Sequence, residues 1–521
     1  MEHALTPRRR RAVLVVVAVA LMMVVSAVSG LNVALPDLAR DTGASQTQLT
    51  WIVDAYTVAF AGLLLLVGGL GDRYGRKGML MAGLVLFGAA AGWAVTIHAP
   101  ATLIAARALM GVGAAAVMPT TLSVITTSFP EEERGRAVGL WVGVAGGGAV
   151  VGLFGSGLLL EFFSWSSFFG LNVALALLAL VGTIAVVPAS REAGQPPLDV
   201  PGGVLSLVTV SSLVFAIIGG PERGWSDPAV LTGFAVAALA GPAFVRRELT
   251  ADHPLLDVRL FALRGFGAGS LSISAQFFAA FGFFFIVLQH LQFVLGRSPL
   301  EAALTLLPLP FVLMPSARLA PRIAARLGTN RVDAAGLVSL AAGLAVISRL
   351  GQTMDYAEFY TGLALFGLGM GLAGTPATTA ITASLPPAKQ GVASAVNDLS
   401  REFGSALGIA LLGSLLTAGY RDSIAPALAG LPPRLAEGAR SSIAFVSSDA
   451  VHRLGPAGDR LVAAAQGAFV DGVSTALLTG AGVLLAAAVF VLFRAPGREA
   501  PAEGRQARPA EADAVTQRSL G

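Results

Sequence analysis

No cysteine occurs among the 521 residues, so neither disulfides nor thiolate metal sites contribute to this chain; the absence says nothing of compartment. Charge is also scarce. Asp, Glu, Lys and Arg make up 13% of the residues against 55% hydrophobic ones. A soluble domain carries roughly 25% charged residues, so a water-facing surface around a chain this long is excluded. The sequence has no phosphate-binding P-loop, no metal-ligand cluster and no nucleophile–base pair, which argues against an enzyme and against ATP hydrolysis. The formal net charge of +4 calls for no nucleic-acid partner, because the cations gather in loops on one side.

What is abundant is apolar length. Mean hydropathy is +0.74, and many uncharged windows reach about 20 residues, enough to cross a hydrocarbon core of about 30 Å. The 62 glycines lie inside apolar runs, where they permit close helix packing. Arg8, Arg9, Arg10 and Arg11 precede an apolar run in the manner of a signal peptide. The run continues to about Leu35 without a small-residue cleavage pattern, so an uncleaved first span is expected.

Hydropathy places fourteen spans at 12–35, 48–70, 78–97, 101–128, 137–160, 165–187, 202–219, 229–245, 266–289, 299–320, 332–349, 358–384, 391–417 and 467–494. With the N-terminus inside, 24 of the 35 Lys and Arg residues fall on the cytoplasmic side. Short external loops hold only Arg40, Arg223, Arg297 and Arg349, as the positive-inside rule requires. The expected organisation is a basic cytoplasmic segment 1–11, a six-helix bundle 12–190 and two extra spans with cytoplasmic linkers in 191–265. A second six-helix bundle follows in 266–494, with an external loop 418–466 read as either a short helix or disorder. The tail 495–521 is polar and expected to be disordered.

Between the second and third spans lies GGLGDRYGRK, Gly68 to Lys77. It combines Asp72 with Arg73, Arg76 and Lys77 and glycines at 68, 69, 71 and 75, more than a generic cytoplasmic turn needs. The stretch resembles the G-x-x-x-D-R-x-G-R-K signature of the major facilitator superfamily. That resemblance implies a latch in which Asp72 accepts free N–H groups at the start of the thirteenth span, near Gln390 and Gly391. The alternative is a solvated turn. A basic, Gly-containing stretch at 319–328 holds the same place in the second half and hints at an internal repeat.

Further motifs bear on the branch of the superfamily. Arg107 lies inside the fourth span, where a cation costs at least about 2.5–3.5 kcal/mol and faces a partner or an aqueous cavity. Its surroundings are similar to the family's l-x-x-x-R-x-x-q-G pattern, with Met110 in place of Gln; a neighbour that tunes a proton-carrying acid and a paired structural charge are both open. The fifth span carries Gly148, Gly152, Ser156 and Gly157, followed by Glu161 and Trp165. It looks like the antiporter motif of drug:proton exporters, with Leu153 where Pro is usual and Ser156 for a glycine; ordinary small-residue packing is the alternative. Trp51-Ile-Val-Asp54-Ala-Tyr56 resembles the WIVDxY of fourteen-span drug:proton antiporters, in which this acid is tied to transport. Asp54 is placed to be desolvated and to bind a proton reversibly, or else to serve as a hydrogen-bonded interfacial acid.

In the thirteenth span Asp398 and Glu402 share a helix face, with Asn397 and Arg401 beside them. A neutralised Asp398–Arg401 pair would leave Glu402 to carry the proton; a wet position near the helix end is the alternative. The Asn32-Val-Ala-Leu-Pro36 motif of the first span is intact, but Ala27 stands nine residues before its Pro, where many relatives have an acid. Asn32, Gln276, Phe277 and Phe281 are candidates for lining a substrate cavity, though an aromatic cluster can equally face lipid.

These readings combine into an all-α major facilitator of fourteen helices arranged 6+2+6. The resemblance implies proton-coupled efflux of hydrophobic small molecules by a multi-pass cell-membrane protein, both termini cytoplasmic. Expected partners are substrate, protons and lipid, in a monomer with no metal and no cofactor beyond the proton gradient. A dedicated exporter of one metabolite and a non-transporting receptor or scaffold are the alternatives.

Overall fold

The computed structural model describes residues 6–189, 199–385, 390–447, 451 and 453–496. Some side chains inside helices, those of Asp72 and Arg73 among them, also lie outside the described residues, as does the expected disordered tail beyond Pro496. The described residues are helical throughout, with no strand. Eighteen α-helices can be followed. Helices α1 (Pro7–Ser29), α2 (Leu31–Thr42), α3 (Gln46–Tyr74), α4 (Arg76–Thr96), α5 (Pro100–Ser128), α6 (Glu131–Phe162) and α7 (Ser166–Val186) form the first bundle. Helices α8 (Val200–Arg223) and α9 (Pro228–Thr250) form a hairpin. The second bundle comprises α10 (Arg264–Gln289), α11 (Pro299–Thr305), α12 (Pro308–Leu327), α13 (Thr329–Ile347), α14 (Tyr356–Ala383) and α15 (Gln390–Ile424). Short α16 (Pro433–Ser441) and α17 (Ile443–Val446) and the long α18 (Pro456–Arg494) complete it.

Among the described residues twelve helices are long and apolar enough to cross a membrane, with α11 and α12 together counted as one crossing. The chain is an integral membrane protein. Helices α3 and α6, at 29 and 32 residues, are two further long rods.

Several boundaries differ from the hydropathy reading, each for a physical reason. The basic segment is not separate: α1 starts at Pro7, with the Thr6 hydroxyl accepting from the Arg9 N–H at 3.4 Å, so the four arginines ride on its first turns. The tenth span is two helices, because Pro308 lacks the N–H that would continue α11. Helix α18 has 39 residues, about 58 Å at 1.5 Å per residue, so it reaches well past the bilayer. The loop 418–466 is largely helical: α15 runs on to Ile424, a 3-10 turn covers Ala425–Leu428, and α16 and α17 follow between residues 433 and 446.

The two bundles repeat one plan. Gly75 (φ 113°) caps the start of α4, and Gly328 (φ 97°) caps the start of α13; at these two turns the positive φ demands glycine. Just beyond, Lys77 Nζ donates to the Ile184 carbonyl at the end of α7 at 2.9 Å, and Asn330 Nδ2 donates to the Leu492 carbonyl at the end of α18 at 3.0 Å. Arg9 on α1 bonds the Val186 carbonyl at 3.1 Å, and Arg264 on α10 bonds the Phe493 carbonyl at 3.4 Å. In both bundles the starts of the first and third long helices tie down the carbonyl end of the last. The weak sequence echo at 319–328 is a structural repeat.

The α8–α9 hairpin packs beside the seam between the bundles. Val210, Val214 and Ile218 of α8 share a buried cluster with Val58 of α3 and Ala406 and Ala410 of α15. At the hairpin's base the buried Asp199 carboxylate takes two 3.0 Å bonds from Arg247 Nε and caps α8.

Candidate functional site

The bundles meet chiefly where α3 lies against α15, antiparallel. The end of the seam away from the start of α1, the distal end, is shut. Gln46 on α3 donates to Gln289 Oε1 on α10 at 3.0 Å, with both residues buried. Gln292 donates to the Val33 carbonyl of α2 at 3.0 Å, and the Arg40 guanidinium lies 5.2 Å over Phe293. Those last residues belong to a π-helical turn, His290–Val294, that bulges α10 toward the other bundle. Above this contact α17 touches both α2 and α18, so the loop 418–466 spans the seam. Tyr420 on α15 anchors the neighbouring α16 through the Ala439 carbonyl at 2.7 Å.

In the first bundle, Asp54 is fully buried on α3. Its Oδ1 accepts from Thr57 Oγ1 at 2.6 Å; its Oδ2 has no hydrogen-bond partner. Arg107 on α5 is equally buried, donating Nε to the Ile52 carbonyl at 3.0 Å while both terminal nitrogens stay unbonded. Its guanidinium lies 4.4 Å from the centre of the Tyr56 ring, and the Tyr56 hydroxyl bonds the Val24 carbonyl of α1 at 3.0 Å. Asp54 and Arg107 are thus both buried in this bundle without forming an ion pair. Met110, standing where the family pattern has Gln, is buried apolar filling.

Across the seam, Asp398, Arg401 and Glu402 are half-buried on α15. The expected Asp398–Arg401 pair does not form within 4 Å among the described residues. The Arg401 guanidinium instead sits 5.1 Å over the Phe277 ring, because a long side chain three residues on reaches the aromatic face of α10 more easily than a short Asp on its own helix. The Arg401 charge still acts on both acids, and Glu402 is within electrostatic range of Tyr56 on α3. Tyr56 therefore lies beside the buried arginine of its own bundle and within electrostatic range of Glu402 of the other.

Phe277 and Phe281 are half-buried and stacked, centroids 6.0 Å apart. Gln276 is fully buried on α10 and bonded to Ser272. Asn32 is also fully buried, its amide donating to the Val28 carbonyl at 3.1 Å.

The glycines of α6 bring helices close. A Cβ on Gly152 would sit 2.7 Å from Ser26 Cα of α1, and one on Gly148 would touch Val25 at 3.4 Å. Ser156 packs against Gly30, and Gly157 faces the Pro299 carbonyl of α11, across the bundle boundary. Trp165, after the motif, donates to Asp41 Oδ2 at the end of α2 at 2.8 Å. With Leu153 in place of Pro, α6 runs unbroken from Glu131 to Phe162. The proposed latch lies outside the described residues: the side chains of Asp72, Arg73, Gln390 and Gly391 are not described. Of its loop, Gly75 caps the start of α4 and Lys77 bonds the end of α7, as given above.

Sequence reasoning missed Asp333, a fully buried acid on α13 hydrogen-bonded to Ser272 at 2.6 Å. An acid just inside a span was the available signal. The Gln46–Gln289 contact carried no comparable signal, since neutral residues at span ends are ordinary.

Two matched bundles around a polar seam, with an added hairpin, define a membrane transporter. The chain belongs to the Major Facilitator Superfamily, whose sequence profile it matches over residues 17–409. It is 34% identical over 487 residues to the multidrug efflux pump LfrA of Mycolicibacterium smegmatis, covering 93% of this chain and 96% of that one. It is 36% identical to the puromycin resistance protein pur8 of Streptomyces alboniger over 76% of this chain and 80% of that one. Among solved structures, the inward-facing, unoccupied bacterial homologue of the human lysosomal transporter Spinster shares the fold. The TM-score is 0.66 at 16% identity, over 94% of this chain and 97% of that one.

Proposed function

We propose that this protein exports hydrophobic small molecules such as drugs, antibiotics and dyes across the cell membrane in exchange for protons. In this reading α3 and α6 join the twelve apolar helices to give fourteen spans arranged 6+2+6. The termini lie in the cytoplasm, and the shut distal end faces outside. Two bundles rocking about the α3–α15 seam expose the site to each side in turn.

One observation carries the reading: Asp54 is wholly buried, has one unbonded oxygen and has no cation paired with it. A carboxylate so placed must be neutral or must become wet in another state. Either way its proton occupancy is tied to conformation. Asp398 and Glu402 offer further proton positions facing the space beside Phe277 and Phe281, and substrate competes for the other state. The energy suffices: one charge crossing 100 mV is worth about 2.3 kcal/mol, roughly a fiftyfold gradient at about 1.4 kcal/mol per tenfold.

The relative named for multidrug efflux supports a broad exporter, whereas the puromycin resistance relative favours a dedicated one. Purified protein in vesicles, given a panel of unrelated dyes and antibiotics with and without an uncoupler, decides both matters. Uncoupler-sensitive movement of several compounds is the expected result. Movement of one compound only supports dedication, and movement indifferent to the uncoupler or to pH defeats the antiport reading.

A further inference from the structure

The buried acid that the efflux mechanism leaves unused lies in the second bundle. Asp333 sits about one turn inside α13 and is 1% exposed. Ser272 Oγ on α10 donates to its Oδ1 at 2.6 Å; no hydrogen bond reaches its Oδ2 among the described residues. The charged groups at this end of the packed elements are Arg331 on its own helix, Arg264 on α10, Arg318, Arg322 and Arg326 on α12, and Arg494 on α18. The adjoining end of α14 contributes none. None of these arginines forms an ion pair with Asp333.

A short hydrogen-bonded chain runs from this acid as far as Gln276, and a separate bond between α14 and α15 lies beyond it. Gln276 Nε2 donates to the Ser272 hydroxyl at 3.0 Å, leaving Gln276 Oε1 buried and unpartnered. That oxygen faces α14 at Gly374, 3.3 Å from where a Cβ would stand. One turn further along α14, Thr378 donates to Asn397 Oδ1 at 3.3 Å, and Asn397 precedes Asp398 on α15.

The repeat shows that the fold does not require an acid here. Counting five residues from the capping glycines, Asp333 after Gly328 corresponds to Leu80 after Gly75. Counting eight from the capping arginines, Ser272 after Arg264 corresponds to Val17 after Arg9. Leu80 and Val17 are fully buried, so the first bundle fills the same two places with apolar side chains. Replacing a buried ionisable group by well-packed apolar residues is often neutral or stabilising, so its presence needs a reason other than packing.

We infer that Asp333 is a second proton-binding site, in the core of the C-terminal bundle, held by Ser272 and backed by Gln276. Protonated, it lets α10 and α13 remain packed; ionised, it places an uncompensated charge between them and favours an arrangement that admits water. The role in transport rests on the proton-coupled reading above, but proton binding itself does not.

The test is therefore made first without substrate. Infrared difference spectra of the purified full-length protein, taken between mildly acidic and mildly alkaline pH, should contain a protonated-carboxyl band. Asp333→Asn should remove one component of it, and Ser272→Ala should move that component to higher frequency. Should Asp333→Asn prove unstable, the double variant Asp333→Leu with Ser272→Val, which installs the pair of the first bundle, should fold and lack the same component. Spectra unchanged from the parent in the substituted proteins overturn the assignment. In vesicles that exchange protons for puromycin or another compound found in the panel, Asp333→Asn should lower the protons moved per molecule. If the parent moves no protons there, the efflux reading fails while the infrared result still decides Asp333.

Discussion

The two bundles share a skeleton and differ in their polar cores. Each begins its third long helix with a glycine cap, and each ties the end of its last helix with side chains from the first and third. The first bundle buries Asp54 and Arg107 near the distal end and fills the places at Val17 and Leu80 with carbon. The second buries Asp333 with Ser272, and presents Asp398, Arg401 and Glu402 to the seam. Hydrogen bonds that close helix ends recur because every bundle must satisfy the same backbone groups. Buried charges do not recur, since packing gains nothing from them. The asymmetry of the acids therefore points to the task rather than to the fold.

The largest expected effect comes from Asp54→Asn, which should lower proton-driven transport in vesicles at least about tenfold, since one charge crossing 100 mV supplies about 2.3 kcal/mol and about 1.4 kcal/mol is a factor of ten. Binding of a transported compound, followed by fluorescence quenching, should persist. Parent-like transport by both this variant and Glu402→Gln would show that neither acid couples protons.

Gly152→Val comes next. Its Cβ has Ser26 Cα at 2.7 Å, so α1 and α6 must separate, at about 1–3 kcal/mol for overpacking. A lowered melting temperature and poor expression are the expected readouts. Gly155→Val, three residues on with open space around its Cβ position, should be nearly silent and serves as the control.

The caps allow a direct test of equivalence. Lys77→Ala and Asn330→Ala each remove one bond to a helix-end carbonyl, costing about 0.5–1.5 kcal/mol in either bundle. Their melting shifts should agree within error. A large difference would mean that Lys77 has duties in its charged loop that Asn330 lacks.

The smallest effect is conformational. Gln46→Ala removes one buried bond of the distal closure, and about 1 kcal/mol would change the ratio of closed to open protein roughly fivefold. Distances between spin labels on α2 and α17 should broaden toward longer values. An unchanged distribution would assign closure to the Gln292 and Arg40 contacts instead.

Much of this molecule was legible in its residues. Runs of about 20 apolar residues fixed the helices, because lipid leaves no other way to satisfy a backbone. The loop at 68–77 and the stretch at 51–56 pointed to the superfamily, and the comparisons agree on that superfamily. Helix ends were less legible: α18 extends past the bilayer on alanine-rich sequence that hydropathy alone cuts short, and a single proline divides α11 from α12.

Sequence by itself determined that the chain crosses the membrane many times as apolar helices, since that depends on local composition. Only the tertiary structure decided which charges meet. It set Arg401 over Phe277 rather than beside Asp398, turned Gln276 inward to Ser272, and placed Asp333 where its counterpart is Leu80. Those outcomes depend on the rotation of each helix about its own axis and on its neighbours across the bundle, which a periodic apolar pattern leaves open when nearly every face is apolar.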